Sequence, residues 1–129
     1  MNSPLVLVVD DDPDILDAIC DILEAEGYRV ARARHGQEAL DQVEGERPAV
    51  ILLDLMMPVM DGVAFARALR LRPSVRDVPI VVISADGNPQ RAAAVGATGY
   101  LAKPFDIEAL LSQVAGITRA GADSSQTRA

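Results

Sequence analysis

Tryptophan is absent from the 129-residue chain, and phenylalanine and tyrosine supply only two residues each. The hydrophobic half of the sequence is therefore aliphatic, and an aliphatic core suits a parallel sheet covered on both faces by helices. Cysteine occurs once, at Cys20, which excludes an internal disulfide and suits a reducing compartment. That residue falls in an apolar helical stretch, where a free thiol packs as a small core residue rather than acting as a redox sensor. Positive charge is also scarce: 12 Lys and Arg face 19 Asp and Glu, for a net charge of −7 and a pI near 4.5. Direct nucleic-acid binding and anionic membrane binding both need a basic surface that this composition lacks. No run approaches the ~20 apolar residues that cross a bilayer. Met1-Asn2-Ser3-Pro4 lacks the basic start of a secretory leader. These absences leave the expectation of a soluble, cytoplasmic chain with one main domain.

What is present is an alternation. Residues 5–9, Leu-Val-Leu-Val-Val, form a continuous aliphatic run, the pattern of a strand buried on both faces. Asp10-Asp11-Asp12-Pro13 ends it, and Pro13 suits the first turn of a helix over 14–25 that Gly27 stops. The same reading predicts strands at 29–33, 49–53, 80–83 and 99–101, and helices at 37–44, 63–71, 89–95 and 106–117, the last capped by Asp106. Five strand–helix repeats at short spacing predict right-handed crossovers, (βα)5, and a doubly wound parallel sheet in three layers, α/β/α. Residues 1–117 make the domain. Residues 118–129, polar and small, predict a disordered tail.

In such a sheet ligands bind outside the carboxyl ends of the strands. Asp10 and Asp11 follow strand one, Asp54 strand three, Ser84 strand four and Lys103 strand five. Taken singly these are ordinary residues: Asp12 reads as a cap or turn residue, Ser84 as a cap, Lys103 as a solvated charge. Together they put three carboxylates, a hydroxyl and an ammonium in one crevice. Carboxylates crowded there repel unless a cation neutralises them, and oxygen-only ligands favour Mg²⁺ or Mn²⁺ over zinc. A cation beside Asp54 also suits a phosphoryl group whose oxygens Ser84 and Lys103 can hold. His35, ahead of Gly36, reads as a surface loop residue.

Four blocks carry a resemblance: Val8-Val9-Asp10-Asp11-Asp12-Pro13, Leu53-Asp54-Leu55-Met56-Met57-Pro58-Val59-Met60-Asp61-Gly62, Val82-Ile83-Ser84-Ala85, and Gly99-Tyr100-Leu101-Ala102-Lys103-Pro104-Phe105. In that order the chain resembles the receiver domain of bacterial two-component response regulators, over residues 5 to about 117, with the flavodoxin-like fold of the chemotaxis regulators. The resemblance implies Asp54 as phosphoacceptor and Asp10 and Asp11 as Mg²⁺ ligands, Asp11 directly, with the Met56 carbonyl another ligand. It implies that Ser84 bonds the phosphoryl group, that Lys103 pairs with it through a cis Lys103–Pro104 bond, and that Tyr100 turns inward as Ser84 moves. Met56 and Asp86 take the positions that govern water access, and the apolar Met56 implies a long-lived phosphoform. The implied partner is a histidine kinase or histidine phosphotransfer protein, docked on a stripe of Ile15, Ala18 and Ile22 on the first helix.

Other classes fit less well. A dinucleotide-binding domain wants a glycine-rich first turn, where this chain has aspartates that would repel a pyrophosphate. A phosphohydrolase using an aspartyl phosphate needs an acid two residues after Asp54, where Met56 stands. The chain is thus expected not to be an enzyme beyond Mg²⁺-dependent self-phosphorylation and slow dephosphorylation. A receiver working as a binding module without phosphorylation is the remaining rival. A stand-alone regulator and a fragment once joined to an output domain both fit the sequence. Only 19 positions separate Ser84 from Lys103, about one helical turn fewer than receivers have. The shortage predicts a short or poorly ordered fourth helix, a truncated dimerisation face and a monomer.

Overall fold

Each aliphatic run forms a strand in the computed structural model, which describes residues 4–54, 62–85 and 89–128. The strands are β1 (Leu5–Val9), β2 (Arg29–Ala33), β3 (Val50–Asp54), β4 (Ile80–Ser84) and β5 (Gly99–Ala102). They pair in parallel in the order β2-β1-β3-β4-β5. The chain moves outward from β1 to β2 and then returns to the other side of β1 with β3. The order reverses there, opening a crevice above the β1 and β3 carboxyl ends.

The helices are α1 (Pro13–Ala25), α2 (Gly36–Gly45), α3 (Gly62–Arg70), α4 (Pro89–Ala94) and α5 (Ile107–Arg128). Side chains alternate across a strand, so the sheet feeds two cores. Leu7, Val9, Ile51, Leu53, Ile80 and Val82 pack with Leu40 and Val43 of α2 and Phe65 and Leu69 of α3. Val6, Val8, Leu52, Val81 and Ile83 pack with Leu16, Ile19 and Leu23 of α1 and Leu110 and Val114 of α5. Every residue of β3 and β4 is buried, and truncating one of these leucines to alanine costs about 2–5 kcal/mol through lost transfer and a cavity. This burial on both faces is why these segments read as unbroken aliphatic runs.

Local chemistry sets the helix ends. Asp12 caps α1, its Oδ1 accepting from Asp14 N at 3.0 Å and Ile15 N at 3.4 Å, with Pro13 at the first helical position. Gly27 follows α1 at φ 93°, a conformation that a Cβ disfavours. Cys20 is fully buried, and desolvation pushes its thiol up to about 11, so it stays protonated and inert as the core residue the sequence implied. α4 has six residues, the short helix that the spacing required.

Two expectations change. α5 does not stop at 117 but continues to Arg128. Residues 118–128 contain no proline, and Thr118 Oγ1 donates back to Val114 O at 3.0 Å. His35 is not a bare loop residue: it caps α2, its Nδ1 accepting from Glu38 N at 3.3 Å.

Candidate functional site

β1, β3 and β4 lie side by side, so the residues at their ends converge. Asp10 and Asp54 are buried at 2% and 5% exposure, Ser84 is wholly enclosed, and Asp11 is open to solvent. One carboxylate oxygen each from Asp10, Asp11 and Asp54 lies within 4.8 Å of the others. That spacing is compatible with a shared hard cation, and the oxygen-only donor set suits Mg²⁺ or Mn²⁺.

Lys103 sits at the centre of this charge. Its Nζ lies 3.0 Å from Asp10 Oδ2 and 3.4 Å from Asp54 Oδ2. Burial works against the ammonium charge, but the hydrogen bond to Asp10 and the field of the two carboxylates outweigh it, and the pKa stands above its ordinary value. The backbone fixes the lysine's origin: Lys103 N donates to Ser84 O at 2.9 Å, continuing the β4–β5 ladder that pairs Ser84 with Ala102. The Lys103–Pro104 peptide is cis, as the resemblance implied. Asp10 is held from its other oxygen, since Oδ1 accepts from Asp12 N at 2.9 Å. Both oxygens of Asp10 are thus engaged, while Asp11 lies open.

Tyr100 stands on β5 opposite Val82 and packs against the core under α3 and α4. Its hydroxyl is buried with no hydrogen-bond partner among the described residues. On α1 the expected stripe is partly uncovered: Ala18 is exposed, and Ile15 and Ile22 are half-buried against the core. Ile15 and Ala18 join Ala85, Lys103, Pro104 and Phe105 around an apolar groove of about 440 Å³, which opens beside the acidic crevice. Ile22 does not line it. Met56 and Asp86 lie outside the described residues.

Sequence reasoning thus found the members of the crevice but not two of their relations. The hydrogen bond of Lys103 to Asp10, rather than to Asp54 alone, depends on a strand spacing that no local motif encodes. The contribution of Pro104 and Phe105 to the α1 groove was legible only in their position directly after Lys103.

Residues 6–115 match the response regulator receiver domain. The transcriptional regulatory protein PrrA of Mycobacterium tuberculosis is 42% identical over 122 residues, covering 92% of this chain and 52% of that protein. The response regulator MprA of Mycolicibacterium vanbaalenii is 40% identical over 117 residues, covering 88% of this chain and 50% of that protein. The chain spans about half the length of the curated relatives it matches. Among solved structures, the chemotaxis response regulator CheY4 of Vibrio cholerae superimposes with a TM-score of 0.83 at 36% identity, over 90% of this chain and 99% of that one. Among the described residues, no helix is long and apolar enough to cross a membrane.

Proposed function

The chain belongs to the response regulator receiver domain family, and from that premise we propose that Asp54 is its phosphoacceptor and that the acidic crevice binds Mg²⁺ to make the transfer possible. The reading is carried by one juxtaposition: a buried carboxylate at the end of β3 lies within reach of an ammonium and beside two further carboxylates. An Asp54 oxygen attacks phosphorus while the bond to the donor's imidazole nitrogen, or to a small acyl donor's oxygen, breaks. Asp11 is the direct metal ligand, because Asp10 is already engaged by Lys103 and Asp12 N. The bound ion would supply the positive charge that offsets the phosphoryl oxygens. Lys103 turns from the carboxylates to the new phosphoryl group, and the Ser84 hydroxyl donates to it. Tyr100, whose hydroxyl is buried, is the side chain whose setting follows that change.

A histidine kinase or histidine phosphotransfer protein docks at the groove of Ile15, Ala18, Pro104 and Phe105, which brings its phosphohistidine to the crevice mouth. The test is incubation with Mg²⁺ and acetyl phosphate, followed by mass spectrometry. A base-labile gain of about 80 Da, the mass of HPO₃, is expected on Asp54 and nowhere else. Asp54→Asn should abolish it with the fold intact. Full labelling of that variant would refute the assignment. Ile15→Glu should keep labelling by the small donor and lose transfer from the protein donor; equal loss in both would mean damage to the core rather than to docking.

A further inference from the structure

On the opposite side of the sheet from α1, one face of α3 lines an open groove. Val63, Ala66, Arg67 and Arg70 are spaced i, i+3, i+4 and i+7, one face of α3. With Leu71 and Val95 they line a groove of about 370 Å³. Leu71 is 83% exposed, the most exposed large hydrophobic side chain among the described residues. A leucine in water beside an open apolar groove marks an interaction surface better than scattered exposure does.

The groove also carries charge. Arg70 is spent on backbone, donating to the carbonyls of Arg76, Val78 (3.0 Å) and Gly96 (3.4 Å). Carbonyls hold the guanidinium in place but do not cancel its charge. Arg67 is exposed, and neither arginine forms an ion pair with any carboxylate among the described residues. Arg29, Arg32 and Arg72 are matched with Glu46, Asp17 and Glu44, and although Arg34 and Arg76 also form no such pair among the described residues, Arg67 differs in lining an apolar groove. On a chain of net charge −7, the exposed Arg67 on an apolar groove, with the Arg70 guanidinium held behind it on backbone carbonyls, favours an acidic, apolar occupant. A second copy of this chain, carrying the same net negative charge, is repelled.

We propose that the α3–α4 groove is a docking site for an amphipathic acidic helix of a partner protein, its leucine-like side chains seated over Val63, Ala66 and Val95 and its carboxylates on Arg67 and Arg70. The site is separate from the α1 groove assigned above to the phosphodonor. Two labelled helical peptides of about 18 residues test it, both with leucine at i, i+3, i+4 and i+7, one with glutamate and one with lysine elsewhere. Net charge alone would favour the lysine peptide, so the sign of the preference is diagnostic. Fluorescence anisotropy with the full chain should show the glutamate peptide binding, weakened about ten-fold by Arg67→Glu and by Leu71→Ser. Both substitutions are on the surface, and labelling of Asp54 by acetyl phosphate should be unchanged in each, which certifies the fold. Absence of glutamate-peptide binding, or binding indifferent to both substitutions, would overturn the proposal. So would concentration-dependent self-association that Leu71→Ser abolishes, since the occupant would then be a second copy.

Discussion

Lys103 is the only lysine in the sequence, and it is the one cation held between Asp10 and Asp54 among the described residues. Removing it takes away the ammonium that bridges Asp10 and Asp54, so Lys103→Met should destabilise the metal-free protein by roughly 2 kcal/mol. That is below the ~3–5 kcal/mol of a fully enclosed pair, because the side chain keeps 16% of its exposure. Urea unfolding with EDTA and then with Mg²⁺ checks this: the gap to wild type should narrow when the ion is present. The pH dependence has a definite sign. The folded-state pKa of Lys103 is raised, so its stabilisation is complete below the ordinary lysine value of 10.5 and is lost as pH rises beyond it through the folded value. The alkaline fall in stability should be shallower in Lys103→Met. With a single lysine, selective isotope labelling of its Nζ reads the titration directly.

At the scale of elements, strand positions were largely legible because burial on both faces compels consecutive aliphatic residues, and β2 and β4 lie at or within one residue of the expected spans. Helix ends were less so. The role of His35 hides because a histidine is not a usual cap; its Nδ1 substitutes for the side-chain oxygen of Ser or Asp. His35→Ala should cost about 0.5 kcal/mol, the low end for a cap because the bond is long at 3.3 Å, whereas His35→Ser should cost nothing measurable by urea denaturation. The far end of α5 was not legible because residues 118–128 mix good helix formers (Ala, Arg, Gln) with poor ones (Gly, Ser, Thr, Asp), so propensity alone does not place the stop. The edge strand β5 holds a contact that sequence could not show. Gln113 Nε2 donates to Tyr100 O at 3.1 Å, and a Cβ on Gly99 would stand 2.0 Å from Gln113 Oε1. Gly99→Ala should therefore displace Gln113 and lose that bond, at about 1 kcal/mol. Because Gln113→Ala removes the same bond, the double variant should cost little more than either single one in a double-mutant cycle.

For the whole molecule, the proposed Mg²⁺ on the three carboxylates of one crevice would link the fold to the ion. A cation that binds only the folded chain stabilises it by about 1.4 kcal/mol at ten times its dissociation constant. The thermal midpoint should accordingly climb with Mg²⁺ concentration, far more than with Na⁺ at equal ionic strength. Asp11→Ala should flatten the climb more than Asp10→Ala, since only Asp11 stands open to the ion. Equal flattening would place both carboxylates on the metal. Sequence made the crevice visible because its residues stand at the ends of strand-like runs; it hid the α3 groove because Val95 meets the face of Val63, Ala66 and Arg67 only in three dimensions.

Two of the three carbonyls gripped by Arg70 lie in the loop before β4 and the third before β5, at the end of the sheet remote from the crevice. One side chain thereby ties the end of α3 to the loops that enter β4 and β5. With that end tied by one guanidinium, small displacements made at the carboxyl ends should tilt α3 and β5 about it rather than translate either. A rigid heel of this kind turns a local chemical event into an angular one.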